Sequence, residues 1–166
     1  IKQGRIYVAN GSNQWAQNSA MVPTPQILAN GEIKIYLTFR DGAGVGRVGF
    51  VQVKANEPSE ITLVSQTPLL SPGEPGTFDE NGVMATSLVT LADGRIFLYY
   101  VGFEIGRKIR YRLLSGLAIS KDSGKTFCRA QKTPVLERSD RELYFRGGPF
   151  VVLERNTFRM WYVAGS

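Results

Sequence analysis

The stretch that decides the fold is residues 88–100, with the sequence LVTLADGRIFLYY. It consists of two apolar runs on either side of Asp93-Gly94. An Asp-Gly pair in this position is typical of a β-hairpin, and we expect a two-residue type I′ turn with positive φ at both turn residues. The stretch therefore predicts two antiparallel strands joined by a tight turn.

The same unit occurs twice more in the chain. It is found as QILANGEIKIYL over residues 26–37 and as FVVLERNTFRMWY over residues 150–162. The corresponding turn residues, Asn30, Asp93 and Arg155, are spaced by 63 and 62 residues. A fixed spacing of this size is the signature of a repeat architecture.

The second half of the unit also repeats. Residues 46–53 (GRVGFVQV) correspond to residues 114–120 (LSGLAIS), and a Thr-Pro pair closes both copies, at Pro68 and at Pro134. Four short strands in each repeat, with no helical periodicity, are typical of the blades of a β-propeller. A β-sandwich would also give short strands, but it would not give this internal similarity.

We therefore predict an all-β fold, with blades of four antiparallel strands, as one partial β-propeller domain over residues 1–166. The chain supplies about two and a half blades, with repeats at approximately 18–78, 79–143 and 144–166. Residues 120–127 (SKDSGKTF) resemble the Asp-box of sialidases and related propellers. In such a turn the Asp122 side chain binds backbone amides, so this motif indicates fold and not catalysis.

Composition excludes several classes of function. The chain has no histidine and a single cysteine, Cys128, so a Ser-His or Cys-His nucleophile, a zinc site and an internal disulfide are not expected. We predict no metal and no cofactor. No apolar run is long enough to span a membrane and no signal segment is visible, which together with the single cysteine favours a soluble, cytoplasmic protein. The net charge is +6, but the basic residues alternate with apolar ones, so an anionic ligand such as a sugar acid is favoured over nucleic acid.

The chain resembles the opening blades of five-bladed glycosidase-like propellers. This group includes the arabinanases, invertases, levansucrases and mannoside phosphorylases, together with many uncharacterised members. The resemblance spans most of the chain and defines the fold better than the reaction. The motifs that carry it are Trp15 with residues 22–25, residues 39–49 (FRDGAGVGRVG), 76–83 (GTFDENGV), 98–103 (LYYVGF) and 116–122 (GLAISKD).

The resemblance implies catalytic carboxylates on the inner strands of successive blades. Its second-blade position matches Asp79 and its third-blade position matches Glu142, while the first-blade stretch, residues 18–24, contains no acid. Two opposed carboxylates suit glycoside chemistry, since one protonates the leaving oxygen and the other activates water or attacks the sugar. Asp79 and Glu142 are therefore the predicted catalytic residues of an incomplete set. The predicted substrate-binding residues are Trp15, Arg40, Asp41 and Glu80.

Three classes of function follow from these patterns. The leading one is carbohydrate binding, with hydrolysis or phosphorolysis only when a full propeller is assembled. The second is a non-catalytic interaction or assembly protein that keeps the scaffold, which a blocked funnel would favour. The third, nucleic-acid binding, would show as a continuous basic stripe.

We also expect a homodimer joined through open blade edges. Residues 158–163 belong to a blade without outer strands, and unpaired strand edges favour association. Residues 5–9 (RIYVA) have the pattern of a strand that could complete a partner's blade by strand addition.

Overall fold

A computed structural model describes residues 4–166 of the chain. The described part folds into β-strands, with one turn of 3-10 helix at Gln14–Ala16. The strands are β1 (Asn18–Ile27), β2 (Glu32–Arg40), β3 (Gly46–Lys54), β4 (Ile61–Val64), β5 (Val83–Thr90), β6 (Ile96–Ile105), β7 (Tyr111–Ser120), β8 (Cys128–Arg129), β9 (Phe145–Glu154) and β10 (Thr157–Gly165). No helix in residues 4–166 is long and apolar enough to cross a membrane.

The strands form two antiparallel sheets and a further hairpin. The first sheet has the order β1-β2-β3-β4, and the order β5-β6-β7-β8 repeats it in the second sheet. The hairpin β9–β10 adjoins the second sheet through two parallel pairs, Leu113 with Phe145 and Leu114 with Arg146. The predicted all-β class and the antiparallel four-stranded units are confirmed, while the repeat boundaries stay a prediction.

Three hydrophobic layers pack against these units. The largest lies between the first and second sheets and contains the buried Tyr36, Phe78 and Tyr100. A second layer, around Phe39, covers the other face of the first sheet. A third, around Tyr99, lies between the second sheet and the β9–β10 hairpin. The sheets therefore stack face to face, with alternate residues of each strand contributing to successive layers.

The predicted type I′ turns are wrong at the first two hairpins. Gly31 and Gly94 have positive φ, but Asn30 and Asp93 do not. Each loop contains three residues, one more than a type I′ hairpin. The amide of Gly31 donates to the carbonyl of Leu28, and the amide of Gly94 donates to the carbonyl of Leu91. This arrangement is the three-residue loop in which a glycine ends the turn in the left-handed region.

The third hairpin has the turn that the sequence predicts for the other two. Arg155 and Asn156 both have positive φ, at 47° and 67°. This turn lacks a glycine, so both residues adopt a conformation that is unfavourable for most side chains.

The predicted strand over residues 5–9 is also wrong. This segment is irregular, and Tyr7 packs edge-on against Phe39 of its own chain, with the ring centroids 6.1 Å apart. Ala9 packs against the same layer. Tyr7 and Ala9 therefore cover the first sheet, and strand addition to a partner by this segment is not supported.

The turn after β7 is held by side-chain hydrogen bonds. Asp122 Oδ1 accepts from the amides of Lys125 and Thr126 at 3.1 and 3.0 Å, and the hydroxyl of Thr126 donates to Oδ2. These bonds hold the pKa of Asp122 far below its usual range. The resemblance of this turn to an Asp-box stays a prediction.

A buried lysine connects the first sheet to this turn. Lys34 on β2 is 6% exposed, and its Nζ donates to the carbonyl of Gly124 at 2.6 Å. The same ammonium lies 4.1 Å from the centroid of the Phe50 ring. Burial lowers the pKa of Lys34, and the charge of Asp122 works against that shift. The contact joins β2 to the outer part of the second sheet across the layer between them.

The outer face of the β9–β10 hairpin is apolar and exposed. Phe150, Trp161 and Val163 are 57%, 56% and 64% exposed. The Phe150 and Trp161 rings lie against each other, with centroids 6.2 Å apart.

Candidate functional site

A cleft of 440 Å³ opens at one edge of the first two sheets. We call this the loop edge, because it carries the β2–β3 loop (41–45), the β6–β7 loop (106–110) and the segments that lead into β5 and β9. The cleft is lined by Met21, Thr38, Arg40, Ala43, Gly44, Val45, Gly46, Asn81, Met84, Phe103, Ile105, Arg110 and Tyr111.

Close packing of β5 against β2 and β3 forms the floor of the cleft. The amide of Ala85 on β5 donates to the Thr38 hydroxyl on β2 at 3.1 Å. At Gly46 a side chain would place its Cβ 2.8 Å from the carbonyl oxygen of Val83. Glycine at this position therefore allows the two sheets to approach each other beneath the cleft.

The first strand is irregular where it borders the cleft. β1 has register shifts on both sides of Met21, and Ser19 and Val22 have positive φ at 66° and 51°. A positive φ is strained for a β-branched residue such as Val22. β-Bulges re-aim side chains and are common next to functional sites.

Arg40 and Asp41 adopt different roles although they are adjacent. Arg40 lines the cleft. The Asp41 carboxylate accepts from the amides of Ala43 and Val45, both at 2.9 Å, and from Arg47 at 2.6 Å. Burial acts to raise the pKa of Asp41, but these bonds and the Arg47 charge together hold it below the usual value. Asp41 therefore holds the β2–β3 loop, and the structure brings only Arg40 to the cleft.

Asp79 is completely buried between the first two sheets. Its Oδ2 accepts from Arg129 Nε at 2.7 Å and from the Tyr100 hydroxyl at 2.9 Å, and its Oδ1 accepts from the Thr77 hydroxyl at 2.9 Å. Arg129 also donates to the carbonyl of Ser71 at 2.5 Å. These contacts bind the segment before β5 to the second sheet. The catalytic role of Asp79 stays a prediction.

Two buried tyrosines lie in the same layer. Burial, with the Asp79 charge, raises the pKa of Tyr100 well above its usual value. Burial, with the Asp122 charge, does the same for the pKa of Tyr36, whose hydroxyl donates to Gln26 at 3.0 Å.

We expect the free energy of unfolding to fall as the pH rises above about 10. The two phenols stay protonated in the folded protein under conditions that ionise them in the unfolded chain. Their stabilising contribution is therefore complete below the unfolded pKa of 10.0 and is lost as the pH rises toward the folded pKa. The pH dependence that Lys34 contributes has the opposite sign. Because its pKa is lowered in the folded protein, its contribution to the free energy of unfolding rises with pH, and this offsets part of the loss from the tyrosines.

Melting temperatures between pH about 8 and about 11 test this expectation, with Tyr36→Phe as the comparison. The decline should be shallower in the variant, which has one buried phenol fewer. A melting temperature that stays level or rises over this interval contradicts the expectation.

Glu142 belongs to a separate network at the loop edge. Its Oε2 accepts from Arg146 Nε at 2.5 Å and from the Tyr162 hydroxyl at 3.2 Å. Arg146 also donates to the carbonyl of Glu137 and to the Ser139 hydroxyl. Glu142 and Asp79 share no hydrogen-bond partner in the described part of the chain. The proposed acid pair is therefore not joined by direct contacts, and its catalytic role stays a prediction.

Trp15 and Glu80 do not line the cleft. Trp15 packs edge-on against Phe39, with centroids 5.4 Å apart, and its Nε1 donates to the carbonyl of Gln66 at 3.0 Å. Glu80 is exposed and accepts from the amide of Gly76 at 2.6 Å. Their roles in binding sugar also stay predictions.

Sequence reasoning missed the far wall of the cleft. Phe103 and Tyr111 face each other across β6 and β7, with ring centroids 6.3 Å apart, and Arg110 lies beside them. The signal available in the sequence was the basic loop before β7, GRKIR over residues 106–110, followed directly by an aromatic residue.

A missed carboxylate, Glu104, lies between two residues of this wall. Because side chains alternate along a strand, Glu104 points away from Phe103 and Ile105. Its Oε2 lies 3.5 Å from Arg112 and 4.0 Å from Arg138. This oxygen is buried and accepts no hydrogen bond from the described residues. A second, smaller cleft of 330 Å³ between Arg112, Arg138 and Tyr144 adjoins it.

Comparison with known sequences gives one kind of relative. No protein-family model matches the chain. It is 32% identical over 161 residues to an uncharacterised protein of Mycobacterium tuberculosis, found in two strains. The match covers 97% of this chain and 53% of the relative. The chain thus spans about half the length of the curated relatives it matches.

Comparison with solved structures identifies the fold. A family 117 glycoside hydrolase from Zobellia galactanivorans matches 88% of this chain and 48% of its own, with a TM-score of 0.67 and 14% identity. A thermostable family-43 glycoside hydrolase matches 92% of this chain and 48% of its own, with a TM-score of 0.63 and 18% identity. A family-43 enzyme from Xanthomonas citri, complexed with xylose, matches 96% of this chain and 52% of its own, with a TM-score of 0.62 and 16% identity. This chain therefore has the all-β fold of glycoside hydrolase propellers, as the sequence predicts.

Proposed function

We propose that this chain forms a carbohydrate-binding face of a glycosidase-like propeller and binds a saccharide in the cleft at the loop edge. The observation that carries the proposal is the composition of the cleft. An aromatic wall of Phe103 and Tyr111 stands beside polar side chains that converge on a volume of 440 Å³. Binding sites for small molecules combine apolar walls with a few placed polar groups in this way.

Each wall suits a different part of a sugar ring. The apolar C–H face of a pyranose or furanose can lie on Tyr111, which is 41% exposed. Arg40, Asn81 and Arg110 present donors to hydroxyl groups at the ring edge. The bulged β1 places Met21 against the same space. The glycoside hydrolases that share the fold support a saccharide as the ligand class.

Turnover is a further part of the proposal and concerns only a completed propeller. Glycoside hydrolysis needs two carboxylates flanking the bond to be cleaved. Asp79 and Glu142 remain the predicted acids, but both are bonded to arginine, and Asp79 is closed off from solvent. We propose that the chain by itself binds sugar, and that hydrolysis or phosphorolysis requires carboxylates in addition to these two.

Titration of the protein with a panel of oligosaccharides, followed by NMR, tests this function. We expect Tyr111→Ala to weaken saccharide binding by about tenfold, because the sugar loses the aromatic surface that it would cover. Trp161→Ala is the matched control, because Trp161 is an exposed aromatic residue outside the cleft. The proposal fails if no saccharide shifts the resonances of the cleft, or if both variants bind as the parent does.

A second candidate function is an interaction or assembly protein. The exposed apolar face of Phe150, Trp161 and Val163 favours it, because large exposed apolar patches mark interaction sites. We expect a homodimer in this case, formed through the β9–β10 hairpin. Light scattering tests it: the mass should be that of a dimer, and Trp161→Ala should shift it toward the monomer. A monomeric mass for the parent protein removes this candidate.

A further inference from the structure

We propose that the saccharide bound in the cleft is anionic, and that its carboxylate is held by Arg40 and Arg110. The inference rests on the proposed function and names the chemical class of its ligand. Both charged residues that line the cleft are arginines, and they come from different sheets: Arg40 ends β2 and Arg110 precedes β7. A carboxylate between two such groups receives charge-assisted hydrogen bonds, which are stronger than those to a neutral hydroxyl.

The carboxylates near the cleft are already matched by other arginines. Asp41, the nearest in sequence to Arg40, is bonded to Arg47 and to two loop amides. Glu104 points to the opposite side of β6. In all, four acids of this region pair with four arginines: Asp41 with Arg47, Asp79 with Arg129, Glu104 with Arg112, and Glu142 with Arg146.

Arg40 and Arg110 stand outside this pattern. Within residues 4–166, neither side chain has a hydrogen-bond acceptor or an ion-pair partner from the protein. Arg40 is partly buried in the cleft wall, so its charge is less screened than that of a fully exposed residue. The exposed Arg107 and Lys108 in the same β6–β7 loop add positive charge at the mouth of the cleft. Such a field raises the local concentration of an anionic ligand.

The aromatic wall and the arginines together indicate a uronic acid. A free inorganic anion would use the arginines but not Phe103 and Tyr111, whereas a neutral sugar would use the rings and leave the two guanidinium charges unmatched. A hexuronate presents an apolar ring face and a carboxylate on one molecule. The cleft volume of 440 Å³ accommodates one such residue of an oligosaccharide.

Matched pairs of ligands test the inference. The probes are oligomers of galacturonate, mannuronate, guluronate and glucuronate, each compared with the same oligomer after reduction of its carboxyl groups to primary alcohols. We expect at least one uronate oligomer to bind about tenfold more tightly than its reduced counterpart, with the preference falling as salt is added. Arg40→Gln and Arg110→Gln should each remove most of this preference, because each weakens binding of the uronate oligomer far more than binding of its reduced counterpart. Arg155→Gln, in the turn at the opposite edge, is the charge-matched control.

Each other outcome overturns the inference in a recognisable way. Equal affinity for acidic and reduced oligomers leaves the proposed function standing and removes the anionic ligand. If Arg155→Gln reduces the preference for the uronate oligomer as much as Arg40→Gln and Arg110→Gln do, the preference comes from the overall charge of the protein and not from the cleft. Binding of inorganic phosphate that depends on Arg40 and Arg110, without any uronate binding, assigns the arginines to a phosphate group. Absence of binding by all acidic and reduced oligomers overturns the inference, and the proposed function fails as well only if the neutral oligosaccharides of the panel also do not bind.

Discussion

Replacement of Asp79 with alanine is expected to lower the free energy of unfolding by about 3 kcal/mol, because it leaves a partly buried guanidinium without its counter-charge. The carboxylate is 0% exposed and accepts from Arg129, Tyr100 and Thr77. For a chain of this length, the loss corresponds to a fall in melting temperature of about 10 °C.

Asp79→Asn and Glu80→Gln make this experiment specific. The asparagine variant keeps the size of the side chain and an oxygen acceptor, but it leaves Arg129 without a carboxylate, so its loss should be intermediate. Glu80→Gln alters the exposed neighbour and should melt as the parent does. A normal melting temperature for Asp79→Ala would contradict the structural role. If Asp79→Asn were as stable as the parent and abolished saccharide turnover by a completed propeller, the catalytic prediction would be favoured instead.

The second large effect is expected at Gly116. This glycine on β7 pairs with Tyr100 on β6, and the Tyr100 ring lies directly over it. A Cβ at position 116 would overlap Cζ of that ring and lie 2.6 and 2.7 Å from its two Cε atoms. Tyr100 cannot move aside, because it is fully buried and its hydroxyl is bonded to Asp79. We expect Gly116→Ala to lower the free energy of unfolding by about 2–3 kcal/mol, measured by urea denaturation.

Gly42→Ala is the control for the general effect of replacing a glycine with alanine. Its Cβ would meet only the end of the Gln17 side chain, which is exposed and can turn away. A double-mutant cycle with Tyr100→Ala gives the stronger test, since removal of the ring should abolish most of the cost of Gly116→Ala. If the two changes are additive, the ring is not the cause.

The parts of the fold that depend on local pattern could be predicted from the sequence. The hairpins within residues 26–37, 88–100 and 150–162 could be predicted from alternating apolar residues and from the turn residues between them. Both signals depend only on a few neighbouring residues.

The turn types and the N-terminal segment depended on more than local pattern. One additional loop residue, Ala29 or Ala92, converts a two-residue turn into a three-residue turn. The Asn-Gly and Asp-Gly pairs occur in both kinds of turn, so they do not show which loop length forms. Residues 5–9 alternate like a strand, but they gain more by packing Tyr7 on Phe39 than an unpaired strand would gain.

The candidate site was predictable only in part, because it is assembled by contacts between distant residues. Arg40 could be named from its motif, but its neighbours Phe103 and Tyr111 come from the next sheet. Asp79 could be named as a functional acid, but its partner Arg129 is 50 residues away and forms the ion pair only when the sheets stack. Sequence patterns identify candidate residues, and the packing of the sheets decides which of them meet.

The contact of Lys34 with the carbonyl of Gly124 has a consequence for how the molecule opens. Separation of the first two sheets would break this hydrogen bond and expose the apolar layer around Tyr36 and Tyr100 to water. These sheets therefore unfold together, as one cooperative unit. The β9–β10 hairpin is attached to the second sheet by two residue pairs and by the smaller third layer, and its outer face is in water, so we expect it to open locally at lower free energy. We therefore expect amide exchange to be slowest in the two sheets that Lys34 connects and fastest in the β9–β10 hairpin.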